Sequence, residues 1–197
     1  MARVPVGVGA KPGLQRLNCV IGYKAMVWER LQAERARGRS YQPRFQRPEI
    51  VGAWFGGVLA ITALGLISAW SQYPLVVAPF GASTVLLFGH PSSPLAQPRN
   101  IVVGNTLAAL VSVVCVAAWG DAPWVMGMAV GVSIALGQAL RCLHPPAGAV
   151  ALLGVLMQVQ TGFVLMPILS GALLLVALAV LFSRLQGSPA PYPHQWL

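Results

Sequence analysis

The sequence predicts an all-α membrane protein with six hydrophobic helical segments, four of them long and two short and broken by proline. Three observations carry that prediction. Of 197 residues, 56% are apolar and only 9% are charged, against roughly a quarter charged in a soluble domain. The charges are also segregated, because residues 1–49 hold ten of the thirteen Lys and Arg and three of the four acidic residues, leaving Arg99, Arg141, Arg184 and Asp121 for everything after them. Finally, the blocks Ile50–Pro98 and Cys142–Ser183 contain no Asp, Glu, Lys or Arg, and at about 20 residues per crossing each holds two. These numbers exclude a soluble globular protein.

Taken in order, residues 1–12 carry Gly and Pro where a helix could not hold. Over 14–37 the pattern changes. Leu14, Leu17, Ile21, Trp28 and Leu31 recur at helical spacing opposite Arg16, Lys24, Arg30, Glu34, Arg35 and Arg37, which fits an amphipathic helix. Two readings of it stay open: an interfacial helix with Trp28 at the headgroups, or a cytosolic helix packed on the rest of the chain. The Pro- and Arg-rich stretch at 38–48 reads as a linker.

The first span is Ile50–Trp70, closed by Trp70, Ser71, Gln72, Tyr73 and Pro74, a group suited to a membrane interface. Leu75–Phe88 is shorter and carries Pro79 and Gly81. The polar loop HPSSPLAQPRN follows, then the span Ile101–Trp119, a turn at Gly120–Pro123, and the span Trp124–Leu140. RCLHPP interrupts, Ala147–Val159 is the second short piece, and Phe163–Phe182 is the last span. The expected domains are a basic N-terminal segment (1–49), a transmembrane domain (50–184) and a loose Pro-rich tail (185–197).

Charge placement orients these pieces. With six crossings and a cytoplasmic N-terminus, Arg99, Arg141 and Arg184 fall inside and Asp121 outside, as the positive-inside rule asks. With four crossings and two re-entrant segments, Arg99 and Arg141 fall outside. Six crossings is the favoured reading, and the expected location is the cell's inner membrane, with the lipid bilayer as the first partner. The basic residues beside the first span act on topology and anionic lipid, so nucleic acid is not an expected partner. Cys19, Cys115 and Cys142 have no metal or disulfide spacing, and residues 1–30 offer no signal-peptide core, so the N-terminus is expected to stay attached.

The two short pieces resemble each other: Pro79-Phe80-Gly81-Ala82 and Pro146-Ala147-Gly148-Ala149 are both P-x-G-A, each in the middle of a long–short–long triplet. Three crossings per copy would make the second copy inverted. A proline starts a helix just after itself and leaves amide N–H groups unpaired there. At membrane depth such a start must be buried in protein or face a watery cavity, and its dipole favours an anion. Ser83 and Thr84 add hydroxyls. Two such starts on one cavity would bind a small anion, whereas the alternative is a kinked packing helix.

Arg99 and Arg141 at the cytoplasmic mouth would steer anions or serve as topological anchors. His144, before two prolines, could hydrogen-bond a substrate or titrate as a coupling group, or satisfy the backbone of its turn. Asn105 and Gln138 lie within spans and read as interhelical glue. His90 and His144 lack the further ligands of a metal site, so no cofactor is expected. Neither an acid pair nor a GxSxG, HExxH or phosphate-loop motif is present, and the expected class is not an enzyme.

LHPPAGAVAL (Leu143–Leu152), PFGASTVLLF (Pro79–Phe88) and PLAQPRNIVVGN (Pro94–Asn105) resemble, in order, the characteristic stretches of the HPP family of integral membrane proteins. The resemblance covers roughly Pro48 to Arg184. Family members are usually described with four transmembrane segments, and plant chloroplast members are linked to nitrite transport. The resemblance therefore implies a multi-pass transporter of a small monovalent inorganic anion, nitrite among the candidates, with a non-transporting anchor, scaffold or regulatory module as the competing class. Its motif residues carry over to His144, Pro145, Pro146 and Gly148, and further to Pro79, Gly81, Ser83, Arg99 and Asn100. A chain this small is compatible with a homo-oligomer.

Overall fold

In a computed structural model, residues 24, 26–38, 44–72, 77–187 and 191–196 are described. Among them helices are the only regular structure, and the chain divides into two compact units between Gln46 and Arg47. The first unit contains α1 (26–38), an exposed helix with an i,i+3 ion pair between Arg37 and Glu34 at 3.2 Å. Met26, Trp28 and Leu31 are exposed on it. Leu14, Leu17 and Ile21 of the expected apolar face, and residues 39–43 of the linker, lie outside the described residues.

The second unit contains α2 (Arg47–Ser71), α3 (Ala78–Gly89), a 3₁₀ turn (Pro94–Ala96), α4 (Pro98–Trp119), α5 (Pro123–Ala139), α6 (Pro145–Leu156), a π-type turn (Val164–Leu169) and α7 (Ser170–Leu185). Proline opens α3, α4, α5 and α6, because its fixed φ suits a first turn and its missing N–H would have had no intrahelical partner there. The stops are equally local. Gly120, with φ of 75°, ends α4. Arg141 and Gln158 take φ of 54° and 50° after α5 and α6, and Cys142 N–H then reaches Gly137 O (2.8 Å) while Val159 N–H reaches Gly154 O (3.0 Å). Both are left-handed helix caps built without glycine.

Three helices are long and apolar enough to span a bilayer: α2, α4 and the continuous Val164–Leu185 segment. Three are shorter. The expected fourth long span is α5, which has only 17 residues between Pro123 and its cap. The last span is also not one uniform helix, since Pro167 removes a donor and Met166 sits at φ −127°, ψ 119°.

The six helices alternate in direction. Gln186, after α7, covers Gly52 near the start of α2, and a side chain on Gly56 would run into the rings of Phe88 (late α3) and Phe182 (late α7). Arg99 at the start of α4 donates to Leu140 O at the end of α5. Those residues share one end. At the other end Asp121, between α4 and α5, accepts a 2.6 Å bond from Gln158 Nε2 after α6. The short helices α3 and α6 thus carry the chain from one end to the other, where a re-entrant segment would return to the end it entered. Arg99, Arg141 and Arg184 all lie at the first end, opposite Asp121.

Apolar side chains cover the outside: Trp54, Phe55, Leu66, Val114 and Leu165 are all more than half exposed. A soluble helix bundle would bury them, whereas a bilayer solvates them. α2 buries only Gly56, Ala60 and Leu64, a narrow stripe of mostly small residues that permits close helix packing in lipid. The C-terminal segment departs from the loose tail expected of its composition. Tyr192 is buried, its hydroxyl donates to Ala96 O (2.8 Å) and its N–H to Ser183 Oγ (2.7 Å), while the N–H groups of His194 and Gln195 donate to Gln97 Oε1. Burial pushes the Tyr192 phenol above its ordinary range.

Candidate functional site

α4 is the central helix of the second unit, packed against α5, α6, α7 and both irregular turns. Its first turn clamps the α5–α6 loop, with Arg99 Nη2 donating to Leu140 O (2.9 Å) and Asn100 Nδ2 to Leu143 O (2.7 Å). Gly104 then lets that loop touch the helix backbone. A Cβ there would lie 2.6 Å from Cys142 O and 3.0 Å from His144 Cβ, so only glycine admits this approach.

The clamp seats His144 at the N-cap of α6, only 2% exposed. Its Nδ1 is 2.9 Å from Leu95 O and its Nε2 is 2.8 Å from Ser83 Oγ in the second turn of α3. A carbonyl oxygen can only accept, so Nδ1 carries the proton. In the neutral ring Nε2 is then an acceptor, and the Ser83 hydroxyl donates to it. Three segments distant in sequence, α3, the 3₁₀ turn and the α5–α6 loop, converge on one imidazole.

The remaining sequence-derived residues divide clearly. Pro79 and Pro146 are buried at the starts of α3 and α6, and Thr84 is buried with its hydroxyl on Phe80 O of its own helix (2.7 Å). Gly81 is exposed, Pro145 is exposed, and Arg141 is exposed beyond the cap of α5. Gly148 looks toward α5, where an added Cβ would meet only Val130 Cγ1 at 3.9 Å. Gln138 is exposed near the end of α5 and does not serve as glue between buried helix faces.

The helix starts offer fewer free amides than expected. Pro145 and Pro146 have no N–H, and the next amide, Ala147, donates to His144 O at 2.9 Å. At α3, Phe80 N–H donates to Val77 O at 2.9 Å. Polar capacity at this place therefore resides in the Ser83 and His144 side chains. Among the described residues, no three His, Cys, Asp or Glu gather into a metal-binding group. Sequence reading gave no role to Leu95, Gln97 or Tyr192. The partners that tie them into the site and the tail latch lie 49 to 98 positions away, beyond any local signal.

A family model described as the HPP transmembrane region matches residues 42–193, extending past the expected Pro48–Arg184 into the linker and the latched tail. Two transmembrane proteins of Dictyostelium discoideum are 36% and 32% identical over 172 and 171 residues, each match covering 81% of this chain. The chain spans 60% and 55% of the length of those relatives. No solved structure matches it.

Proposed function

Because the chain belongs to the HPP transmembrane family, we propose that this multi-pass membrane protein transports a small monovalent anion such as nitrite, and does so without catalysing a reaction. The observation that carries the reading is the buried Ser83–His144 pair, contributed by two short helices inside the bundle, with Arg99 and Arg141 at the same end. Those guanidiniums draw anions toward the entrance by their field.

The pair also supplies a means of coupling. With the ring neutral, the Ser83 proton is committed to Nε2. When Nε2 takes a proton, it becomes a donor to Ser83 Oγ, and the hydroxyl proton is free to turn to an anion. Protonation thus creates both a positive charge and a free donor in one place, so anion and proton bind together.

Purified protein in liposomes tests this. Entry of nitrite, nitrate or formate should be accelerated over protein-free vesicles, and His144→Gln, which keeps hydrogen-bonding capacity but cannot titrate, should lose the pH dependence of flux. Absence of acceleration for every small monovalent anion overturns the reading. The competing scaffold reading draws on the exposed Met26, Trp28 and Leu31 of α1, and it becomes the better account if flux is absent while removal of residues 1–38 abolishes capture of a partner.

A further inference from the structure

Eight polar side chains are buried among the described residues, and seven of them have hydrogen-bond partners. Thr84, Ser112 and Ser133 turn their hydroxyls onto their own helices, Ser83 and His144 bond each other, and Ser93 and Gln97 hold the 90–97 loop. Asn105 is the exception. It is 0% exposed in the middle of the α4 core face, and neither its amide oxygen nor its amide nitrogen has a partner.

That is a costly residue to keep. A buried carboxamide with both ends unpaired forfeits its hydration and regains nothing, and Asn is also a poor helix former. Its helical neighbours on the same face, Ile101 and Ala108, are buried and apolar, so a leucine of similar size would suit the surroundings better. Position adds the second observation. Gly104, the preceding residue, lies against Cys142 O and the His144 side chain, so Asn105 enters the core at the level of the Ser83–His144 pair. One and two turns further on, Ala108 and Ser112 continue the face, and Ser112 lies against Gly154 of α6.

We infer that Asn105 is a further anion-contacting side chain within the bundle, its Nδ2 hydrogens donating to the anion beside the Ser83–His144 pair. This rests on the transport reading above and deepens it by naming a side chain that holds the anion and the physical basis on which the site rejects divalent ions. The three arginines of the second half of the chain lie at one end of the bundle, so an anion at Asn105 meets, besides neutral donors, at most the one positive charge of a protonated His144. The penalty for dehydrating an ion rises with the square of its charge, and a single buried countercharge cannot recover it for a divalent ion. The site selects weakly hydrated monovalent oxyanions, such as nitrite, nitrate and formate, and rejects sulfate and hydrogen phosphate.

The test combines stability and flux for wild type, Asn105→Leu and Asn105→Ser. In detergent, nitrite or nitrate should raise the thermal midpoint of the wild type, and sulfate at matched ionic strength should not. Asn105→Leu should melt higher than wild type in anion-free buffer, lose the nitrite-dependent rise, and lose at least tenfold in liposome flux. Asn105→Ser, which keeps a small donor and does not depend on fitting a larger apolar group, should retain a reduced nitrite response. If both variants match wild type in flux and in nitrite response, or if sulfate protects as well as nitrite, the assignment is overturned while transport stands. If wild type itself shows neither flux nor an anion response, the transport reading fails and takes this one with it.

Discussion

Removing the Ser83 hydroxyl is the most direct probe of the buried pair. In Ser83→Ala the donor 2.8 Å from His144 Nε2 is lost, and because His144 is only 2% exposed water cannot easily replace it. An unsatisfied buried acceptor costs about 1–3 kcal/mol, which lowers the folded-to-unfolded ratio roughly 5- to 150-fold. His144→Phe removes the other partner and also strands Leu95 O. The Leu95 penalty is the same with or without Ser83, so it cancels in a double-mutant cycle and leaves the Ser83–His144 coupling, about 0.5–3 kcal/mol for groups in direct contact. The assay is unfolding by SDS in mixed micelles for the wild type, both single variants and the double variant. The double variant should be more stable than the sum of single losses predicts. Additivity to within about 0.5 kcal/mol would refute the bond, and with it the reasoning that places a titratable group in the bundle.

Two further outcomes follow from the packing. Gly104→Ala should destabilise by about 1–3 kcal/mol, because its Cβ would press on the Cys142 carbonyl and His144, whereas Gly127→Ala in α5 meets nothing within 4 Å and should be neutral or stabilising by up to about 1 kcal/mol; equal effects in thermal unfolding would contradict the close approach. In a cysteine-free background, Ser92→Cys and Asp121→Cys, both exposed and at opposite ends, should react with an impermeant thiol reagent from opposite sides of the membrane, and labelling of both from one side would rule out the alternating bundle.

How much of this is legible in the sequence depends on how local each determinant is. Hydropathy blocks, proline starts and charge segregation act within a few residues, so the all-α class, the six segments and the two short helices could be read directly. The interruption at Pro167 was equally local but was hidden by the uniform hydropathy around it. His144 stands out because HPP is a compact motif, and Ser83 stands out for its hydroxyl, but nothing in the sequence pairs the two or points to Leu95. Ser83 is 61 positions away and Leu95 is 49, and no spacing rule links them.

Composition likewise suggested that the tail was loose, yet Tyr192 is held on Ala96 and Gln97 receives the next two amides. Pro-rich sequence forbids a helix, but it does not forbid docking on a surface that supplies acceptors. Asn105 marks the boundary most sharply. One polar residue in an apolar span signals a helix–helix hydrogen bond, and only the packed bundle determines whether a partner comes within reach. By itself the sequence determined which stretches are helical and which prefer lipid, and placed their starts to within a few residues, because backbone sterics and solvent transfer act on near neighbours. Tertiary structure decided which polar groups meet and, among the buried side chains of the described residues, that Asn105 is left unpaired, because hydrogen bonds require atoms about 3 Å apart and chain distance says nothing about that.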